Sequence, residues 1–475
     1  MQARVRIVAG LAALGLLAGC WRSDAPVAMA AGPRITLPLA GVGLPDFPPA
    51  DTAMEPRSNA VLAQDFLDLE FRMESGRPLP RLTRFDQPVT VGIAGPAPGS
   101  ASADLDNLLA RLRAEAGLQI SRDDGAPQIT VQFVPQAQIA ALHPDVACFV
   151  VPGATDWQGY RSGHTRPDWA TLTRRDRAAV FIPQEASPQE QRDCLHEEIA
   201  QGLGPLNDLY RLPDSVFNDD NFHTVLTGFD MLMLRLHYAP ELQQGMDPAA
   251  VAAALPALLA RLNPGGGPVG DLAPAPPDPQ AWLRLMAQAL SDRGTPAARR
   301  RAADRALAVA QAQGWQDARL AFSQFAVGRL AIGQDALAAG RALTAAGTLY
   351  RGLPGGAVAA AHVDMQLAAL ALAQGDARRA TAFARRAIPV ARRAQNAALL
   401  SMLMLMQAEA QQALGRPAAA QALRLDSRPW ARYGFGSETV LAGQLETIAA
   451  LLPPGLAADP AQAAAAPGIP AQEEP

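Results

Sequence analysis

The chain has 475 residues and a formal net charge of −4, long enough for two hydrophobic cores, since a single core stops growing at about 250–300 residues. Weak net acidity excludes a nucleic-acid binder that works through an overall basic footprint. All 41 basic residues are arginine beside abundant alanine and proline, which is codon composition, so arginine number by itself marks no phosphate site.

Arg4 and Arg6 precede an apolar run from Ile7 to Leu17, too short to span a bilayer well. Leu17-Ala18-Gly19-Cys20 then resembles a lipobox, the recognition site of lipoprotein signal peptidase. The resemblance implies a signal peptide at 1–19, a diacylglycerol on the Cys20 sulfur and a third chain on its freed amine. Each buried methylene contributes about 0.8 kcal/mol, so such an anchor is essentially permanent. An ordinary signal peptide with a chance cysteine is the alternative. Trp21, with no aspartate in its place, points to a cell-envelope protein on the outer membrane facing the periplasm. Residues 20–57, rich in Pro, Gly and Ala, read as a tether. In an oxidising compartment the other two cysteines, Cys148 and Cys194, form one disulfide or stay as two separately buried thiols.

The folded part is expected in two regions. From 58 to 246, Asn59–Met73 and Leu105–Ala116 have helical spacing, and Val89–Ile93, Ile129–Val134, Ala147–Val151 and Ala178–Ile182 read as strands. Interleaved helices and strands give an α/β or α+β domain. Ser187-Pro188-Gln189-Glu190 is a capping box with proline at the first helical position, so a helix starts there and runs to Gly202 or Gly204. A linker is expected over 247–280, then an all-α region over 281–452, then a disordered tail over 453–475. In the all-α region, glycine turns at Gly333, Gly375 and Gly415 recur with a period near 40 residues. That pattern resembles tetratricopeptide-type helical hairpins; a non-repeating helical bundle is the alternative.

The chemistry-bearing stretch is CLHEEIAQGLGPLNDLYRLPDSVFNDDNFHTVLTGFDMLMLRLHY, from Cys194 to Tyr238. His196-Glu197 opens a zinc-peptidase HExxH, but Ala200 stands at the second histidine and the frame fails. Started one residue later, the stretch resembles the metzincin pattern HExxHxxGxxH with its glycine at Gly204. Glu197, Gln201 and Asn207 then stand at the three zinc ligands, and Glu198 stands at the general base. Ser215-Val216-Phe217 lies where metzincins place the Ser-Ile-Met of their Met-turn, and Asp230, Leu234 and Tyr238 repeat the spacing of the matrixin C-terminal helix. The stretch is also similar to a bacterial lipoprotein family with a domain of unknown function, over about 59–246.

The resemblance implies an α+β zincin-like domain, followed here by the helical repeats, with every zinc ligand replaced. One carboxylate and two amides make a poor zinc site; calcium, with Asp208 added, is the other metal weighed, and no cofactor is expected. A site rebuilt from His196, His223 and Glu198 is unforced, and Asn218-Asp219-Asp220-Asn221 lacks calcium-loop spacing and reads as a turn. A metzincin cleft binds extended peptide along an edge strand, here expected at Ala178–Ile182. The expected function is therefore non-catalytic: membrane attachment through lipid on Cys20 and binding or assembly of a protein or peptide partner, without nucleic acid. The alternative is a metal-dependent, peptidase-like hydrolase with Glu198 as general base.

Overall fold

The computed structural model describes residues 43–49 and 55–451, apart from 145, 164–167, 273–276 and 292. The expected signal peptide, Cys20, the tether up to residue 42 and the tail at 453–475 lie outside the described residues.

Helix α1 (Asn59–Glu70) starts where Ser58 Oγ accepts the Val61 N–H, and it buries Leu62, Phe66 and Leu69 at helical spacing. Strands β1 (Val89–Ile93), β2 (Ile120–Arg122), β3 (Ile129–Val134), β4 (Phe149–Pro152) and β5 (Ala178–Pro183) form one mixed sheet in the order β2-β1-β3-β5-β4. The first three and β5 run parallel; β4 lies antiparallel to β5, with Val150 opposite Val180. Helix α2 (Ala101–Glu115) carries the β1–β2 crossover, while α3 (Gln136–Leu142) and α4 (Trp157–Ser162) flank β4.

The expected edge strand at Ala178–Ile182 is corrected here. All six residues of β5 are buried, because the strand is paired on both sides, and the edge belongs to β4. The unbroken apolar run from Ala178 to Ile182 is what two-sided burial demands.

Helix α5 (Pro188–Leu203) follows β5. Its capping box closes in both directions: Ser187 Oγ accepts the Glu190 N–H at 3.3 Å, and Glu190 Oε2 accepts the Ser187 N–H at 2.8 Å. The helix lies on the sheet, where a Cβ at Gly202 would touch Val150 at 3.4 Å. Cys194 on α5 is disulfide-bonded to Cys148 just before β4, with Cα atoms 6.0 Å apart, so the two-free-thiol alternative falls. Helix α6 (Gly228–His237) starts from a second capping box, Thr227 with Asp230.

Helix α7 (Pro248–Leu262) occupies much of the stretch expected as linker. Val251, Leu255, Leu258 and Leu259 are buried in the same core as α1. Asn59 and Asn263 clamp the two helices: Asn59 Nδ2 donates to Asn263 O at 3.1 Å, and Asn263 Nδ2 donates to Asn59 Oδ1 at 3.0 Å. The first region therefore runs beyond Met246. Pro248 at the first helical turn, after Asp247 as cap, was the available signal.

The second region is all helix: α8 (Gln280–Leu290), α9 (Pro296–Ala312), α10 (Ala318–Ala331), α11 (Ala336–Gly352), α12 (Ala357–Ala373), α13 (Ala377–Arg393), α14 (Ala397–Ala413), α15 (Pro417–Phe435) and α16 (Glu438–Ala450). The first eight pack as four successive hairpins. Gly333, Gly375 and Gly415 turn three of them, each with positive φ, and Gly294 turns a fourth, at the head of the series, that the sequence reading missed. A left-handed residue after a helix satisfies the last carbonyls, and glycine does so without steric cost. Pro389 in α13 and Pro429 in α15 stand at equivalent positions, each fourteen residues past its turn glycine. The array is repeat-like, not an irregular bundle.

The two regions share a buried boundary. Phe222 enters the helical core and stacks on His362 at 4.6 Å, and Tyr210 meets Trp282 edge-on at 5.0 Å. Gln189 Oε1 accepts the Ala398 N–H at 2.8 Å, Arg192 donates to Gln395 O at 2.5 Å, and Tyr433 Oη donates to Asp104 at 2.9 Å. Phe47 lies between Trp430 and Tyr433 with the Arg192 guanidinium over its ring.

Candidate functional site

The metzincin-like positions gather around the C-terminal half of α5. Glu198 is fully buried, Gln201 and Asn207 are buried, and Glu197 is half-buried. Three carbonyls at the end of α5 have no helical partner, and one side chain takes them all. Arg175 donates to Gln201 O (2.8 Å), Gly202 O (2.9 Å) and Gly204 O (2.6 Å), and its guanidinium stacks on Trp169 at 4.8 Å. A cation at a helix C-terminus is favoured by the exposed carbonyl dipoles. Burial lowers the Arg175 pKa and the nearby Glu70 carboxylate opposes that shift. Tyr238 Oη donates to Leu203 O at 3.0 Å beside it.

Beyond Gly204 the chain is equally committed. A Cβ at Gly204 would stand 3.2 Å from the His237 ring. His237 Nδ1 bonds Glu70 Oε1 at 2.9 Å with both side chains buried; burial holds the imidazole pKa down, against the pull of Glu70. Asn207 spends its amide N–H on Asp68 O at 2.9 Å. Arg211, four residues on, pairs with Asp65 and Asp68 at 2.7 and 2.8 Å.

Ser215-Val216-Phe217 and α6 meet in space. Asp230 accepts from Ser215 Oγ (2.5 Å), Val216 N (3.2 Å), Thr227 N (2.8 Å) and Thr227 Oγ1 (3.0 Å). Burial pushes its pKa up to about 6 against the pull of those donors. Phe217 is fully buried, and its carbonyl accepts the Leu209 N–H at 2.9 Å.

The residues of the rebuilt site are not brought together. His196 Nδ1 accepts the Leu226 N–H at 3.1 Å, so that lone pair is spent, and burial holds its pKa well below the usual value. His223 instead lines a cavity of about 280 Å³ between the two regions, with Glu55, Asp214 and Arg393 among its neighbours. Burial takes the His223 pKa down to about 4 and raises Asp214 to about 7. Among the described residues, no group of three or more His, Cys, Asp or Glu side chains is placed to hold a metal. Zinc favours imidazole and thiolate, and a set of one carboxylate and two amides, one amide already bonded to Asp68 O, does not fit it.

Asn218 to Asn221 form a turn. Asn218 Oδ1 accepts the Asp220 N–H at 3.0 Å, Asp220 Oδ1 accepts the Phe222 N–H at 3.0 Å, and Asn221 is left-handed at φ 57°. The turn delivers Phe222 to the helical core. Sequence reasoning missed Arg175, Glu70 and the cavity; an arginine within Arg174-Arg175-Asp176-Arg177 carries no signal that separates it from its exposed neighbours.

Neither a curated protein nor a solved structure matches the chain. Residues 59–257, which take in most of α7, match the family model described as "Protein of unknown function (DUF2927)": the first region is a DUF2927 domain, followed by the helical region.

Proposed function

We propose that the chain is an envelope lipoprotein, anchored through acyl chains on Cys20, whose first region is a zincin-like domain without catalytic zinc that binds or assembles protein partners. The observation that carries the reading is how the ligand-equivalent positions are used. Gln201 and Asn207 are buried, the Asn207 amide holds Asp68, and Arg175 seals the carbonyls around them. The zincin-like part rests on spacing and on convergence: Asp230 reaches back to Ser215 and Val216, and Tyr238 reaches back to Leu203. Partner binding along a sheet edge falls to β4, the one outer strand running antiparallel to its neighbour, and the hairpin array supplies a second surface.

Elemental analysis of the chain from Trp21 to Pro475 tests the zinc-free reading. The expectation is no stoichiometric zinc, and no change of any measured function in Glu198→Gln. One zinc per chain overturns it and promotes the hydrolase. Glu197→His, Gln201→His and Asn207→His together are expected to gain zinc affinity, and absence of any gain undercuts the metzincin alignment. Replacing Cys20 with serine is expected to abolish palmitate labelling and membrane retention; persistent labelling removes the lipobox reading.

A further inference from the structure

Charge is unevenly divided along the chain. Between 281 and 451 there are twenty arginines and ten acidic residues, although the whole chain is net acidic. Codon composition decides arginine over lysine, but it does not decide where the basic residues sit. On α13 they sit as three pairs, Arg378-Arg379, Arg385-Arg386 and Arg392-Arg393, each seven residues after the last. Seven residues are nearly two helical turns, about 10.5 Å of rise, so the pairs repeat along one face.

That face is open. The exposed residues of α13 are the six arginines with Ala382 and Pro389, and no acidic residue lies in the helix. Its opposite face, Ala377, Ala380, Ala384, Ala387 and Ala391, is buried in the hairpin array. Arg386 is tied to Asp364 at 2.5 Å and Arg379 lies 3.9 Å from Asp376, whereas Arg378, Arg385, Arg392 and Arg393 form no ion pair among the described residues.

We propose that the arginine ladder of α13 docks the folded chain onto an anionic phospholipid surface. The choice of a bilayer over other anions rests on the lipoprotein reading, in which an anchor on Cys20 holds the chain beside a membrane at high effective concentration. Rigid cationic rows match a plane of phosphate headgroups, and the apolar face of α13 is already spent on packing. The contact is therefore electrostatic adhesion without insertion, and salt screens it.

Co-sedimentation of the unlipidated chain, Trp21 to Pro475, tests this independently of Cys20. The vesicles are phosphatidylcholine, with or without phosphatidylglycerol. Binding is expected only with phosphatidylglycerol and is expected to vanish at about 1 M salt. Arg378→Ser, Arg379→Ser and Arg385→Ser together are expected to weaken it at least about tenfold with an unchanged melting temperature. The matched triple Arg284→Ser, Arg301→Ser and Arg305→Ser, on other exposed positions, is expected to weaken it far less. Equal losses in the two triples overturn the ladder, since only net charge then counts. Equal binding to pure phosphatidylcholine overturns it as well, and so does soluble polyglutamate competing as well as vesicles do.

Discussion

The DUF2927 domain and the helical region solve burial in different ways. The helical region repeats one hairpin, packs small residues such as Ala368, Ala384 and Ala410 across its interfaces, and turns its hairpins at glycines 39 to 42 residues apart. Most of its contacts are local. Both regions bury charged side chains, but the helical region pairs Asp364 and Glu409 with arginines 13 to 22 residues away, whereas the first region joins Arg175, Glu70 and His237 into a hub over separations of 26 to 167 residues. Repetition tolerates substitution in one unit because the next supplies a similar surface. A buried polar hub does not, because removing one partner leaves the others desolvated and unpaired.

The sharpest break between the regions is therefore Arg175→Met, which strands three buried carbonyls. A loss of about 3–5 kcal/mol is expected in urea unfolding. A loss under about 1 kcal/mol would mean the hub matters no more than a surface contact. Next is Phe222→Ala, with an expected cost of about 3 kcal/mol. It also tests the boundary: wild type should unfold in one transition, followed equally by near- and far-ultraviolet dichroism, and the variant should split into two. A split already present in wild type would show two independent regions despite the shared core. Replacing Cys148 and Cys194 with serine opens a 46-residue separation and is expected to cost roughly 2–4 kcal/mol, read in urea unfolding.

A pH effect is smaller. The His223 pKa falls from 6.5 to about 4 on folding, so the folded state binds fewer protons between those values. Its contribution to stability is then full above 6.5 and declines as pH falls through that window to 4. His223→Gln is expected to flatten this part of the stability profile. The Asp230 carboxyl acts in the opposite sense: raised from 3.8 to about 6, its contribution is full below 3.8 and fades as pH rises to 6. A variant profile unchanged in slope would place His223 in contact with solvent. The smallest expected effect is Ser187→Ala, about 1 kcal/mol from the lost cap of α5.

Local physics was legible in the sequence. The Ser187 capping box, the helical periodicity of α1 and α2, strand β3 and the three turn glycines follow from short-range geometry, and the structure has them. The meeting of Asp230 with Ser215 and Val216 was half-visible: spacing singled out the residues without saying that they touch. The edge was assigned to the wrong strand, and the helix in the expected linker and the fourth hairpin were missed. Burial on two faces looks the same in a short apolar run whether the strand is central or not, and α7 earns its place only by packing on α1.

What the sequence determined by itself is the local elements fixed by periodicity, caps and turn glycines, and the contrast between the two compositions. What only the tertiary structure decided is the use of the polar residues. Arg175 becomes a helix cap, His196 an acceptor for Leu226 N–H, and Asn207 a donor to Asp68, because each partner lies 26 to 139 residues away. Periodicity records which face of an element is apolar. It carries no information on which distant backbone group a buried polar side chain will meet, and that meeting sets whether the group is a ligand, a base or a brace.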